Sequence, residues 1–252
     1  MAGSAASRRD LLRRIAERPG PVISSRAARV PAPHRFAAAD RVLYNQMSNA
    51  LADAAASHAS GRLIDIGCGR KPWAAIFAPH VAEHVGVDRE VPSSPTVEEV
   101  DIVGDAYSVP LEDESADTVL LTEVLEHLEE PVRALAEARR LLRPGGGLIL
   151  TTPLFFPVHG EPHDFFRYSP NGLEHVMREA GFDSIEVRPL SGQWTTLAML
   201  RGLSLYPYRR GRVLTALVDA YSATSLAIAV RLDELDFRDA FSWNHIATAR
   251  RP

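Results

Sequence analysis

Short apolar runs, each ending in a glycine or an acid, alternate along the chain with stretches whose apolar residues recur every three or four positions. The first such stretch is Phe36 to about His58, where Phe36, Leu43, Met47, Leu51 and Ala54 share one helical face and Ser60-Gly61 ends the helix. Leu63-Ile64-Asp65-Ile66 then reads as a buried strand that breaks into the tight loop Gly67-Cys68-Gly69. Lys71-Pro72 opens a helix at Trp73. Val81–Val87 is a second strand ending in Asp88. Val97–Val103 is a third, leading to Gly104-Asp105-Ala106, and Asp117–Leu121 is a fourth, ending near Glu123. Glu130–Leu142 is an amphipathic helix, Pro144 to Gly147 a turn, and Leu148–Thr151 the fifth strand. Ser169-Pro170 starts a helix that runs through Ala180 and is closed by Gly181; Phe182–Leu190 is a sixth strand. Trp194 to Leu235 is too long for a simple connection and divides into two helical pieces at Tyr206-Pro207, with Leu214, Leu217, Val218, Tyr221, Ile228, Leu232 and Leu235 forming an apolar stripe on the second. Trp243–Ala249 is the last strand.

Strands that alternate with helices predict an α/β fold, a three-layer doubly wound and mostly parallel sheet of the Rossmann-like kind. Right-handed crossovers bring the carboxyl ends of all parallel strands to one edge. Gly67, Asp88, Asp105 and Glu123, far apart in the chain, therefore gather along a single rim, where open α/β sheets bind ligands.

Composition adjusts this picture in four places. The 252 residues divide into a basic arm over 1–35, rich in Arg, Ala, Ser and Pro, and one α/β domain over 36–252 that carries the helical insertion at about 194–235. The arm is expected to be flexible or loosely docked, with Ser7–Arg18 able to form a short basic helix. A net charge of −4 gives no global field for nucleic acid, so a nucleic-acid partner is not expected. Cys68 is the sole cysteine, which excludes an internal disulfide and leaves a small packing residue in the loop. With no apolar secretion signal, the expected location is the cytoplasm. Val213–Val230 carries one charge, Asp219, in its middle; this argues against a membrane span and for a helix packed on the domain, a second copy of the chain, or a membrane surface, helped there by Arg209, Arg210 and Arg212.

The rim carries specific chemistry. Asp88 lies about twenty residues after the glycine loop, where a carboxylate accepts hydrogen bonds from both hydroxyls of a ribose. NAD is disfavoured because Gly67-Cys68-Gly69-Arg70-Lys71-Pro72 lacks the third glycine of the dinucleotide fingerprint, and no Walker pattern is present. The segments LIDIGCG, VGVD, GDAYSVP, ADTVLLTEVLEH and RLLRPGGGLILTTP, in this order between Arg62 and Pro153, resemble the class I S-adenosylmethionine-dependent methyltransferases, of a type that acts on small molecules. The resemblance implies seven strands with the last antiparallel and S-adenosylmethionine as cofactor. It implies Asp65 and Gly67, Cys68 and Gly69 under the methionine part, Asp88 with Arg89 at the ribose, Asp105 at the adenine amino group with Ala106 and Tyr107 beside the ring, and Glu123 near the sulfonium.

Transfer to a hydroxyl is helped by a base, and histidine suits that role near neutral pH. His127 follows the fourth strand. His159, His163 and Asp164 lie in the rim loop after the fifth, whose HGEPHDFFRYS run resembles methyltransferases of natural-product and cell-envelope pathways. His163 is the first candidate base, with Asp164 orienting it; His159 is second and His127 third. His175 is expected to face solvent. No metal is expected, although His159, Glu161, His163 and Asp164 offer ligand atoms. Glu129 and Glu130 are expected to be solvated. The activity so read is methylation of a small-molecule hydroxyl, in a natural product, a sugar or a cell-envelope precursor. The competing readings are methylation of carbon or nitrogen in a lipophilic acceptor, and a protein that binds the cofactor without catalysis.

Overall fold

The computed structural model describes residues 38–89 and 100–252. The basic arm and the Val97–Glu99 start of the third strand lie outside the described residues. Seven strands form one sheet: β1 (Arg62–Ile66), β2 (Glu83–Asp88), β3 (Ile102–Val103), β4 (Ala116–Thr122), β5 (Leu142–Pro153), β6 (Asp183–Pro189) and β7 (Asn244–Arg250). Their order is β3-β2-β1-β4-β5-β7-β6, and β7 runs antiparallel to both neighbours. The order reverses between β1 and β4, the switch point at which an α/β sheet opens a crevice.

The period-two alternation of the strands separates two cores. Ile64, Ile66, Val119, Leu121, Leu148, Leu150, Ala247 and Ala249 face α3 (Pro131–Leu141) and α4 (Pro170–Glu179). Leu63, Leu120, Ile149 and Ile246 face the other way, against α1 (Ala38–His58), α2 (Ala74–Phe77), α5 (Gln193–Leu205) and α6 (Gly211–Leu235). The fifth strand begins at Leu142, not Leu148: Leu142, read above as the end of the helix, and Pro144–Gly147, read as a turn, belong to the strand that follows α3 directly, and Gly147 pairs with both Thr118 and Arg250.

The insertion forms the two predicted helices, split at Tyr206–Tyr208, but the second is turned over. α6 buries Val218, Ser222, Leu226, Ala229 and Asp233, and leaves Leu214, Leu217, Tyr221, Ile228 and Leu235 exposed. The reason is Asp233. Its buried carboxylate accepts the Gly192, Trp194 and Thr195 N–H groups at 3.0–3.1 Å and so caps the start of α5 from a neighbouring helix. Asp219 is paired with Arg209 at 2.9 Å. By length and composition α6 is long and apolar enough to cross a membrane, and 22% of its most apolar window is buried against the protein.

Replacing Asp233 with alanine strands three buried or half-buried N–H groups. The expected loss is about 2 kcal/mol of stability, read as a lower urea midpoint at unchanged slope. An unchanged midpoint would show that water replaces the cap.

Candidate active site

A cavity of about 460 Å³ opens at the carboxyl edge of β1, β2 and β4, within the range of small-molecule and cofactor sites. Gly67, Asp88, Arg89, Asp105, Ala106, Tyr107, Glu123, His127 and His163 all line it. Asp65, Cys68, Gly69, His159 and Asp164 do not line it, so five of the predicted positions act from behind the wall or beside it.

Gly67 sits in the left-handed region at φ +73°, and a Cβ there would meet Val124 Cγ2 at 2.4 Å. Only glycine lets the loop lie this close to the end of β4. The loop does not offer its N–H groups to a ligand as its composition suggests. Gly67 and Cys68 both donate to the Val87 carbonyl, at 2.8 and 3.2 Å, and Gly69 donates to Asp88 Oδ2 at 2.9 Å. The glycines therefore serve by shape, not as donors.

Asp88 also accepts the Arg89 N–H on Oδ1 at 2.7 Å. The two backbone donors fix its carboxylate at the cavity wall with acceptor capacity to spare. Asp105 Oδ1 accepts the Tyr107 N–H at 2.8 Å, and this local turn sets the Tyr107 ring beside Ala106. The ring is held from outside by Arg133, 5.0 Å from its centroid, and Tyr107 Oη accepts the Glu130 N–H at 3.1 Å. Asp65 is buried behind the loop with Oδ2 3.0 Å from His84 Nε2, and burial raises its pKa. Burial, then Asp65 and Asp88, push the Cys68 thiol up to about 12, which leaves it an inert packing group.

Glu123 closes β4 with φ +55°, a strained conformation for a residue with a side chain. Asn244 Nδ2 donates to both its oxygens at 2.9 Å, Thr151 Oγ1 donates to Oε1 at 2.8 Å, and burial raises its pKa. Neither Thr151 nor Asn244 was flagged by its sequence context, since both lie inside apolar strands.

The histidine loop departs from expectation. Asp164 does not orient His163. It forms a two-pronged pair with Arg167, at 2.6 and 2.8 Å, and accepts the His159 N–H at 2.8 Å. The Arg167 bonds hold its carboxyl well below the usual range. Arg167 also donates to the carbonyls of Phe156 and Pro157, at 3.1 and 2.9 Å, so the cation of this segment ties the loop together and does not face the cavity. His163 is exposed and lines the cavity beside Phe165, while its carbonyl oxygen accepts His127 Nδ1–H. His175 faces solvent as expected. Glu129 and Glu130 are exposed as expected, yet they edge the cavity.

Glu126 is the residue the sequence reading passed over. It is fully buried, with Oε1 lacking a hydrogen-bond partner, and burial together with Glu123 raises its pKa. The available signal was its spacing, one turn beyond Glu123 and next to His127 at the end of a buried strand.

The groups at the rim fit an adenosyl cofactor. A fixed acidic acceptor after β2, an acidic turn with an aromatic ring after β3 and a glycine approach after β1 share one cavity. Comparison with known proteins agrees. A methyltransferase-domain family model matches residues 64–150. Ubiquinone biosynthesis O-methyltransferase of Cereibacter sphaeroides is 30% identical over 170 residues, covering 54% of this chain and 68% of the relative. An uncharacterised 37.1 kDa transposon protein of Streptomyces fradiae is 38% identical over 103 residues, and the match spans only 29% of its length. Among solved structures, the [4+2]-cyclase SpnF superposes with a TM-score of 0.57 at 21% identity, over 97% of this chain and 92% of its own. Phosphoethanolamine N-methyltransferase 2 of Haemonchus contortus, in complex with S-adenosyl-L-methionine, has a TM-score of 0.53 at 17% identity, over 82% of this chain and 52% of its own. On this evidence the chain belongs to the class I S-adenosylmethionine-dependent methyltransferases.

Proposed function

We propose that this methyltransferase methylates a hydroxyl of a small molecule, in a natural product, a sugar or a cell-envelope precursor. One observation carries the reading: the acidic acceptors of three strand ends line one cavity together with His127, His163 and Phe165. S-adenosylmethionine, when bound, supplies a methyl group on a sulfonium whose positive charge disappears on transfer. Asp88 accepts the ribose hydroxyls, Asp105 the adenine amino group, and Ala106 and Tyr107 flank the ring. Glu123, anchored by Asn244 and Thr151, faces the methionine end. His163 takes the acceptor's hydroxyl proton and returns it to solvent, to which its side chain is open. Phe165 adds an apolar surface to the cavity lining, and most of the acceleration comes from positioning.

The outward face of α6 supports a lipophilic acceptor met at a membrane surface. Leu217 is 61% and Ile228 56% exposed, and the exposed Arg210 and Arg212 stand at the amino end of the helix, the arrangement of an interfacial helix on anionic lipid, while Arg209 is paired with Asp219.

Three outcomes are expected. Asp88→Ala should weaken S-adenosylhomocysteine binding by about 1–3 kcal/mol in calorimetry, as for a lost charge-assisted hydrogen bond; unchanged affinity would remove Asp88 from the ribose. His163→Ala should lower turnover about a hundredfold or more while leaving that affinity intact, and full activity would remove it as the base. A Leu217→Glu, Ile228→Glu double variant should lose co-sedimentation with anionic vesicles; equal recovery with wild type would leave the face to a second copy of the chain, visible as a dimer in analytical ultracentrifugation.

A further inference from the structure

Glu126, His127 and His159 each direct one ligand atom into a space where all three lie within 4.8 Å of one another. Both imidazole Nε2 atoms stand 3.9 Å from Glu126 Oε1, too far for a hydrogen bond, and that oxygen is buried without a partner. An unpaired oxygen on a fully buried carboxylate is costly, and structures keep one where something else satisfies it.

The partners of the two rings sharpen the point. His127 Nδ1 meets the His163 carbonyl and His159 Nδ1 meets the Pro157 carbonyl at 3.2 Å. A carbonyl only accepts, so His127 Nδ1 carries its proton and its Nε2 presents a lone pair toward Glu126; His159 Nδ1 is held between the Pro157 carbonyl and an Arg167 N–H at 3.3 Å, and its Nε2 faces the same Glu126 oxygen. Two imidazole nitrogens and an unpartnered carboxyl oxygen then converge on one space. In His127, Nδ1–H bonded to a backbone carbonyl leaves Nε2 for an ion, the usual orientation of a metal-binding histidine. The Arg167 charge nearby is compensated by its pair with Asp164. Gly160, at φ +69°, brings the loop against His127: a Cβ there would lie 2.9 Å from His127 Cε1.

We propose that Glu126, His127 and His159 form a divalent-cation site on the acceptor side of the cavity. Two imidazoles and one carboxylate suit a first-row transition ion such as Mn²⁺ or Zn²⁺ better than Mg²⁺ or Ca²⁺, which prefer oxygen ligands throughout. Three protein ligands leave positions open, as in catalytic sites, and His127 is the ligand that borders the cavity. The open positions receive the hydroxyl oxygen of the acceptor, and an adjacent oxygen where the acceptor has one. Such an ion lowers the pKa of the hydroxyl it binds, and the proton passes to His163 on the same wall. This inference rests on the proposed hydroxyl methylation and specifies its acceptor as a chelating oxygen compound.

The test is direct titration of the full, tag-free, chelator-stripped chain with Mn²⁺, followed by electron paramagnetic resonance and calorimetry, with S-adenosylhomocysteine affinity measured on the same samples. The expected result is one Mn²⁺ per chain, displaced by Zn²⁺, with affinity at least tenfold weaker in Glu126→Gln and in His159→Ala. His159 lies in a part-exposed loop, so its variant keeps the test valid if Glu126→Gln fails to fold. Catechol added to the Mn²⁺-loaded protein should change the spectrum, and phenol should change it less. S-adenosylhomocysteine binding without Mn²⁺ binding, or Mn²⁺ binding indifferent to His159→Ala, overturns the site while leaving the methyltransferase reading intact. A spectrum unmoved by catechol overturns its role toward the acceptor, and loss of S-adenosylhomocysteine binding in the wild-type chain overturns the functional reading itself.

Discussion

The Glu123 carboxylate is the joint on which the rest of the rim is hung. It follows β4 in a left-handed conformation, is half-buried at the cavity wall, and is held by donors from β5 and β7. A buried carboxylate is tolerable only when its oxygens are bonded, and here the bonds come from two strands that meet in opposite directions. The antiparallel β7 therefore does more than extend the sheet. It delivers Asn244 to the carboxyl edge from the far end of the chain, and thereby fixes the wall against which Gly67, through Val124, is packed.

The rim was readable because the parallel sheet converts sequence into position by simple rules. Strand ends share an edge, so Asp88, Asp105 and Glu123 could be placed together before any coordinates, and the apolar runs of β1, β4 and β5 left little freedom in where those ends fall. The helical insertion obeyed no such rule. Leu217, Tyr221 and Ile228 form the more apolar stripe of α6, yet Asp233 decides which side faces inward, because three N–H groups at the start of α5 need an acceptor that no apolar side chain supplies. Periodicity reports that a helix has two faces. It does not report what waits across from them.

The histidine loop shows the same limit at shorter range. Adjacent His163 and Asp164 suggest a pair, but neighbours on an extended segment point apart, and Arg167 offers Asp164 a two-pronged geometry that an imidazole lacks. The groups that orient the rings include backbone: the carbonyl of His163 meets the His127 ring, and that of Pro157, with Arg167, meets the His159 ring. Carbonyl positions are set by the path of the loop and leave no trace in residue type. Glu126 was hidden for a related reason, since an acid among acids reads as solvated until the burial around it is known.

The polar cap on α5 ties the insertion to the catalytic wall. From Asp233 the bonds run to the Gly192 N–H; the preceding residue, Ser191, accepts the Trp243 N–H on its hydroxyl, and the Ser242 hydroxyl beside it donates to the carbonyl of Asn244, whose side chain clasps Glu123. The outer helices are thus not a detachable ornament on a standard catalytic body. Trimming them to make a minimal enzyme would unfasten the far end of a polar thread that terminates at the wall of the rim cavity.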